Sequence, residues 1–374
     1  MKVVADDKIP FLKGVLEAEG IEVVYEAGAK ITRATLRGAD ALLTRTRTRC
    51  DAALLDDTEV RFIATATIGF DHLDTRFLAA REIAWTNAPG CNSSSVAQYL
   101  VSTLLHLAVN RRFALRDKTL GVVGVGNVGK KVAAAARALG MNVLLNDPPR
   151  ARAEGMAGFV TLAELAAQSD ILTFHVPLAR EGADQTWHLV DEEFLKKLAP
   201  GRILINSSRG EVVDHIALKR ALQAGRLAGA VLDVWENEPG IDRELMMLLD
   251  QSTPHVAGYS TDGKANGTAM SVNALAEFFH LSDRLKTWRP ADVPRPETTE
   301  LRCPETGAPE ENLLAVVRQS YDVAADTARL RRSPGDFEKL RGSYPLRREF
   351  PVFAVRGGAP RERAVLRELG FRMI

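Results

Sequence analysis

What this 374-residue chain lacks narrows its chemistry before any motif is read. It has only three cysteines, Cys50, Cys91 and Cys303, far apart in sequence. An odd, dispersed set is a poor disulfide framework and has no metal-ligand spacing. Free thiols in a reducing cytoplasm are expected. The seven histidines form no His-x-x-x-His pair, so no metal site is expected. Excess charge is also missing. The 49 basic and 48 acidic residues leave a net charge of +1, which gives nucleic acid no electrostatic footprint. Long apolar runs are absent as well. The best membrane candidate, Val96 to Val109, is interrupted by Gln98, Ser102 and His106, and a span needs about 20 mostly apolar residues. The N-terminus runs from Val3-Val4 into Asp6 and Asp7, without the apolar core of a signal peptide. A soluble protein with no membrane partner is expected.

What is present is a patterned chain in which 46% of residues are hydrophobic, long enough for two or three domains. Lys2–Ala5, Glu22–Tyr25, Ala39–Leu43 and Arg61–Thr65 are short β-type runs, and helical patterns such as Pro10–Glu19 and Leu73–Arg81 lie between them. This alternation predicts a parallel sheet with helices on its faces. Ser93–Ser95 starts a helix in which Val96, Tyr99, Leu100, Leu104 and Leu107 recur at helical spacing. A second series follows, with strands near Leu120–Val123, Asn142–Leu145, Ile171–Phe174, Ile203–Asn206 and Gly229–Leu232. Their near-continuous apolar character is that of strands buried on both faces. Arg289 to Pro309 holds five prolines and reads as a linker. Beyond it, Asn312–Ala325, Asp336–Leu340, Val352–Val355 and Arg361–Leu369 could make a small αβ domain.

The strand Leu120–Val123 runs into Gly124-Val125-Gly126-Asn127-Val128-Gly129 and then an alanine-rich helix. Gly124 permits the tight turn, Gly126 lets the backbone approach a pyrophosphate, and Gly129 lets the helix pack on the strand. Free N–H groups at the helix start suit phosphates. The motif alone is weak; its strand–turn–helix context strengthens it. Asp147 ends the next strand, where a carboxylate accepts from ribose hydroxyls and repels a 2′-phosphate. NAD is therefore the expected cofactor.

Three further segments each follow a predicted strand: Asn206–Gly210, Asp233–Pro239 and Thr253–Gly258. Ligands of open α/β sheets bind outside the carboxyl ends of the strands. Oxidising a secondary alcohol removes a hydride and a proton, and NAD takes the hydride. Neutral His255 suits the proton. Glu238 would fix its tautomer and favour its charged form. Arg209 offers a planar fork for a carboxylate and could polarise a developing carbonyl oxygen. Singly, each has a plainer reading: a surface arginine, a solvated loop carboxylate, a structural histidine. Together, in order and at strand ends, they are far more specific. His72 and His175 read as structural, Trp235 as packing, and Cys91 carries no assigned chemistry.

These residues resemble the D-isomer-specific 2-hydroxyacid dehydrogenase family over roughly residues 1–285. The resemblance implies two Rossmann-like parallel-sheet domains of α/β class. The first is a flavodoxin-like substrate domain, 1–92 plus a return at 259–285; the second is an NAD-binding domain, 93–258. It makes Arg209, Glu238 and His255 the catalytic set. A likeness to one branch of the family extends through the tail. It is carried by Ala64–Gly69, Ala88–Asn92, Asn146–Arg150, His255–Ser260, Tyr321-Asp322, Phe337–Arg341 and Ser343–Phe350. That branch oxidises a small phosphorylated 2-hydroxy acid in vitamin B6 biosynthesis and forms homodimers through a small C-terminal αβ domain, here 290–374. By the same likeness Thr46, Thr67 and Tyr259 would touch substrate. The cofactor would meet Asn127, Val128, Asp147, Val176, Ser207, Asp233 and Gly258, besides the glycines. Thr46 stands where a serine is common and keeps the hydroxyl. Val176 stands where a threonine can occur, leaving a backbone contact.

A phosphate needs cations. Arg45, Arg47 and Arg49 alternate with threonines after a predicted strand, and Arg347 and Arg348 lie in the tail. Arg45, helped by a tail arginine from a partner subunit, is the expected phosphate ligand. The competing readings are a relative acting on phosphoglycerate, lactate or glycerate, and a non-catalytic NAD-sensing protein of the same fold.

Overall fold

Five apolar runs of the N-terminal segment become parallel strands in a computed structural model, which describes residues 1–374: β1 (Lys2–Asp6), β2 (Glu22–Glu26), β3 (Ala41–Thr44), β4 (Phe62–Thr65) and β5 (Ala84–Thr86). Their order is β2-β1-β3-β4-β5, the flavodoxin-like arrangement. Successive side chains point to opposite faces of a strand, and two cores result. Val3, Ala5, Ala41, Leu43, Phe62 and Ala64 pack with Val272, Leu275 and Ala276 of the helix Thr261–Phe278. Val4, Leu42 and Ile63 pack with Leu54, Leu55 and Leu78 on the other face. Met1–Asn92 and Ser260–Pro294 form this unit. The expected helix over Pro10–Glu19 is absent. Phe11 and Gly14 take left-handed backbone angles (φ 63° and 82°), and only Glu17–Glu19 makes a 3₁₀ turn.

The second unit joins Ser93–Tyr259 with Arg295–Ile374. Its main sheet holds β6 (Thr119–Val123), β7 (Asn142–Asn146), β8 (Ile171–Phe174), β9 (Arg202–Asn206), β10 (Leu227–Leu232) and β11 (Gln251–Ser252), all parallel, in the order β11-β10-β9-β8-β6-β7. The direction of winding reverses between β6 and β8, so the crevice at their carboxyl ends is where a ligand of such a sheet binds. Gly121 of β6 has no room for a side chain, because Leu165 and Ser169 of the adjoining helix and turn fill that space.

The helix Ser93–Arg111 is buried along nearly its whole length, as an element covered on both sides must be. One cover is the sheet and the other is the C-terminal segment. Tyr99, Leu100 and Leu104 share a core with Leu301, Leu313, Val316, Tyr321, Phe350 and Val355. That segment holds a small parallel sheet of β12 (Glu300–Cys303), β13 (Ala354–Gly357) and β14 (Arg372–Met373). β12 corrects the reading of Arg289–Pro309 as a linker. Its four residues alternate, with Leu301 and Cys303 buried while Glu300 and Arg302 face out. The segment Asn312–Ala325 is divided between two helices, Pro309–Ser320 and Val323–Arg332. Tyr321 turns extended between them, and the Asp322 carboxylate caps the second through the N–H of Ala324.

Candidate active site

Several hydrogen bonds join the loop after β10 to the turn after β11, and one of them pairs two titratable side chains. Nδ1 of His255 donates to Oε2 of Glu238 at 2.9 Å. An ionised carboxylate can only accept, so the proton of the neutral imidazole sits on Nδ1. The lone pair is then on Nε2, the nitrogen left to take a proton. Oε1 of Glu238 accepts the N–H of Trp235 at 2.9 Å, so the same carboxylate also closes its own loop. Burial alone would raise the Glu238 carboxyl. The hydrogen bond and charge of His255, the Trp235 N–H and the charge of Arg341 outweigh it and hold Glu238 low.

The turn that carries His255 is clamped from two sides. Asp233, fully buried, accepts the N–H groups of Val256 (2.8 Å) and Ala257 (2.9 Å) and the hydroxyl of Thr253. Its own carbonyl accepts the N–H of His255 at 2.7 Å. From the other side Arg347 donates to the carbonyls of Val256 (3.2 Å) and Ala257 (3.3 Å), while its guanidinium lies 3.6 Å from the centroid of the Tyr321 ring. Ser95 donates to the Ala257 carbonyl, and Trp235 Nε1 to that of Thr253. This network holds His255 at φ 56°, in the left-handed region that few non-glycine residues enter. Burial raises the Asp233 carboxyl, against the His255 charge and the donors it accepts from.

Arg209 follows β9 and reaches this edge through Gly210. A Cβ on Gly210 would run into the backbone of Trp235, so only glycine lets the two loops touch. Arg209 Nη1 donates to the Ser208 carbonyl at 2.8 Å, and Asn206 Nδ2 donates to the Arg209 carbonyl at 2.8 Å.

The glycine turn fits a dinucleotide. Gly124 sits at φ +83° with its α-carbon against the His175 carbonyl, and Gly129 packs on the Gly124 carbonyl. Gly126 has open space where a Cβ would be. The helix Asn127–Ala138 then begins with N–H groups that have no partner within the helix. Asp147 accepts from Val125 N–H at 2.8 Å and Arg150 N–H at 3.1 Å, one oxygen each, and each oxygen keeps acceptor capacity for ribose hydroxyls. Val176 follows β8 at the winding reversal, its side chain against Gly124. The Ser207 hydroxyl is buried with no protein partner, as a hydroxyl reserved for a ligand would be. Gly258 and Tyr259 complete the turn after His255, closed by the Tyr259 N–H to the Val256 carbonyl at 2.9 Å.

In the first unit Arg45 leaves the end of β3 half-buried and donates to the Lys8 carbonyl at 3.1 Å; Thr46 is exposed. Thr67 bonds Thr65 hydroxyl to hydroxyl at 2.8 Å and donates to the Gly69 carbonyl at 3.0 Å. Arg49 is engaged by Asp51 at 2.7 Å. His72 and His175 are partly buried, paired with the Thr65 and Thr173 hydroxyls, and desolvation pushes them down to about 4 and about 3, so both are neutral near pH 7.

Sequence reasoning missed two cations and placed a third elsewhere. Lys264, on the helix whose Gly267 packs against the Ala66 carbonyl, is pushed down to about 8 by burial and the charge of Arg45. Arg341 stands beside Glu238 and Tyr259. Arg347, expected to serve a partner subunit, is buried in its own chain, where Ser95 and Gln98 also bind it. No local pattern marks any of the three, since each role depends on contacts far apart in sequence.

A family model for the NAD binding domain of D-isomer specific 2-hydroxyacid dehydrogenases matches residues 106–257, and one for a domain of unknown function matches residues 293–370. An erythronate-4-phosphate dehydrogenase of Bacteroides fragilis (strain YCH46) is 49% identical over 355 residues, covering 95% of this chain and 99% of the relative. Another from Bacteroides thetaiotaomicron is 46% identical over 357 residues, covering 96% and 99%. Among solved structures, the D-lactate dehydrogenase of Aquifex aeolicus, complexed with NAD and lactic acid, aligns with a TM-score of 0.62 at 27% identity, over 75% of this chain and 96% of that one.

Proposed function

The chain belongs to the D-isomer specific 2-hydroxyacid dehydrogenase family, and from that premise we propose that it oxidises erythronate 4-phosphate at C2 to the 2-oxo acid, with NAD as cofactor, in pyridoxal phosphate biosynthesis. One observation carries this reading: relatives bearing that name match nearly the whole chain, the C-terminal segment included. The catalytic residues are Arg209, Glu238 and His255. His255 takes the C2 hydroxyl proton at Nε2, because Glu238 holds Nδ1. Glu238, kept ionised by its donors, favours the imidazolium that then forms. Arg209 binds the substrate carboxylate with its planar fork.

Gly124, Gly126, Asn127, Val128, Gly129, Asp147, Val176, Ser207, Asp233 and Gly258 would hold NAD. When bound, NAD takes the hydride from C2. Thr46, Thr67 and Tyr259 contact the substrate, and Arg45 with Lys264 meets its phosphate. The enzyme works in the cytoplasm as a homodimer joined through residues 290–374, and sedimentation equilibrium checks that state. No helix is long and apolar enough to cross a membrane.

The deciding experiment is a turnover assay with 4-phospho-D-erythronate, supplied with both NAD and a 2-oxo acid to re-oxidise the cofactor. Conversion to the 2-oxo product is expected. Binding of NAD(H) with no turnover of any 2-hydroxy acid would overturn the reading in favour of a sensing protein.

A further inference from the structure

The C-terminal segment sends two arginines toward the site, and they differ in kind. Arg347 is spent: carbonyls of Ser95, Val256 and Ala257 and the amide of Gln98 take its N–H groups. Arg341 is not spent in this way. It sits on the short helix Phe337–Gly342, which fully buried Phe337 anchors in the core with Leu330, Trp235 and Leu245. Nη1 donates to Oε1 of Glu338 at 3.0 Å. The guanidinium lies 5.6 Å from the Tyr259 ring centroid and 5.9 Å from that of Phe337. Nε is buried and finds no acceptor in the protein. Burial works against the Arg341 charge, and Tyr259, Glu238 and Glu338 sustain it. A partly buried cation near the companion of the base is placed to bear on that base's charge balance.

We propose that Arg341 is a positioning residue of the reaction: it supports the Tyr259 ring beside the His255 turn and places a positive charge that biases the Glu238–His255 pair toward its proton-poor form. This rests on the assignment of that pair as the base. It gives the segment matched by the domain of unknown function a task inside the active site of its own chain. Other charges also face the pair. Asp233 lies behind the His255 turn. Glu236, on the Glu238 loop, is bound by His188 Nε2 at 2.7 Å and by the His215 N–H. Arg209 follows β9, and Glu338 sits on Arg341's own helix. Of these, Glu338 is the one paired with Arg341, which is why it is also replaced in the test.

The test compares full-length wild type, Arg341→Lys and Arg341→Met. One measurement is the pH dependence of kcat/KM on erythronate 4-phosphate. The other is an NMR titration of the His255 imidazole, which needs no substrate. Removing a nearby positive charge makes the pair easier to protonate. The acid limb and the NMR midpoint of Arg341→Met should therefore rise by about half a pH unit or more, with at least a threefold loss of kcat/KM below the limb. Arg341→Lys should stay near wild type in both. Glu338→Gln, which removes the counter-charge of Arg341 at a half-exposed position, should move both downward; it and Arg341→Gln serve if the methionine variant does not fold. Unmoved limb and midpoint in the neutral variants would overturn the proposal. So would a KM increase confined to the phosphorylated substrate with an unmoved profile, which would make Arg341 a phosphate ligand. If wild type turns over no hydroxy acid, the functional reading fails, while the NMR midpoints still decide the role of Arg341.

Discussion

The strand-end edges of the two units are built to different standards. In the second unit, the turn Thr253–Tyr259 has N–H groups taken by Asp233 and carbonyls by Arg347, Ser95 and Trp235, with Thr253, Pro254, Val256 and Ala257 buried and no residue exposed. In the first unit, the stretch Arg45–Arg49 leaves Thr46, Arg47 and Arg49 exposed, and Arg45 reaches a single backbone carbonyl, that of Lys8. The difference fits the chemistry proposed for each edge. Proton transfer needs a donor and acceptor held within a few tenths of an ångström. Binding an anion with long cationic side chains tolerates more play, because charge acts over a longer range than orbital overlap.

If that contrast is right, the second unit should be the less forgiving. His255→Ala should give the largest effect, a loss of about 10²–10⁴ in kcat with NAD affinity nearly unchanged. Single-turnover rates and cofactor titration check it, and an unchanged chemical rate would remove His255 as the base. Gly210→Ala should come next. Its new Cβ must displace the Trp235 backbone, an overpacking that typically costs about 1–3 kcal/mol. The strain falls where Arg209 and the Glu238 loop adjoin. Denaturant midpoint and kcat should therefore drop together, whereas an alanine at exposed Gly225 or Gly20 should change stability and leave kcat intact.

The sequence carried the fold well where local pattern decides it. Apolar runs gave most of the larger strands, and Gly124–Gly129 with Asp147 gave the nucleotide turn. It carried less where the determinant is tertiary. β12 hid among prolines because four alternating residues are a weak signal. β5, β11 and β14, of two or three residues each, are too short to show a period. Asp233 was expected at the cofactor; its part in clamping the His255 turn depends on where Val256 and Ala257 lie in space. Glu238 and His255 were legible as a pair, whereas Arg341 and Lys264 were not. Desolvation and a neighbour's charge are properties of packing, and no residue spacing announces them.

Lys264 offers the finest test, because its effect should be smallest and should depend on pH. Burial first, and the charge of Arg45 second, bring its ammonium down to about 8. A lysine with a lowered value is charged below it and neutral above it. If Lys264 and Arg45 share the substrate phosphate, wild-type KM for erythronate 4-phosphate should rise as pH passes from 7 to 9. The change should approach tenfold, the worth of one charge-assisted hydrogen bond of about 1.5 kcal/mol. KM for an unphosphorylated analogue should stay level. Lys264→Arg stays charged throughout and should flatten the curve at the low value, while Lys264→Met should flatten it at the high one. Arg45→Ala removes the like charge that helps depress Lys264, so it should raise KM overall and move the inflection upward in pH. A wild-type curve already flat over this range would separate Lys264 from the phosphate and leave the first unit's edge to Arg45 alone.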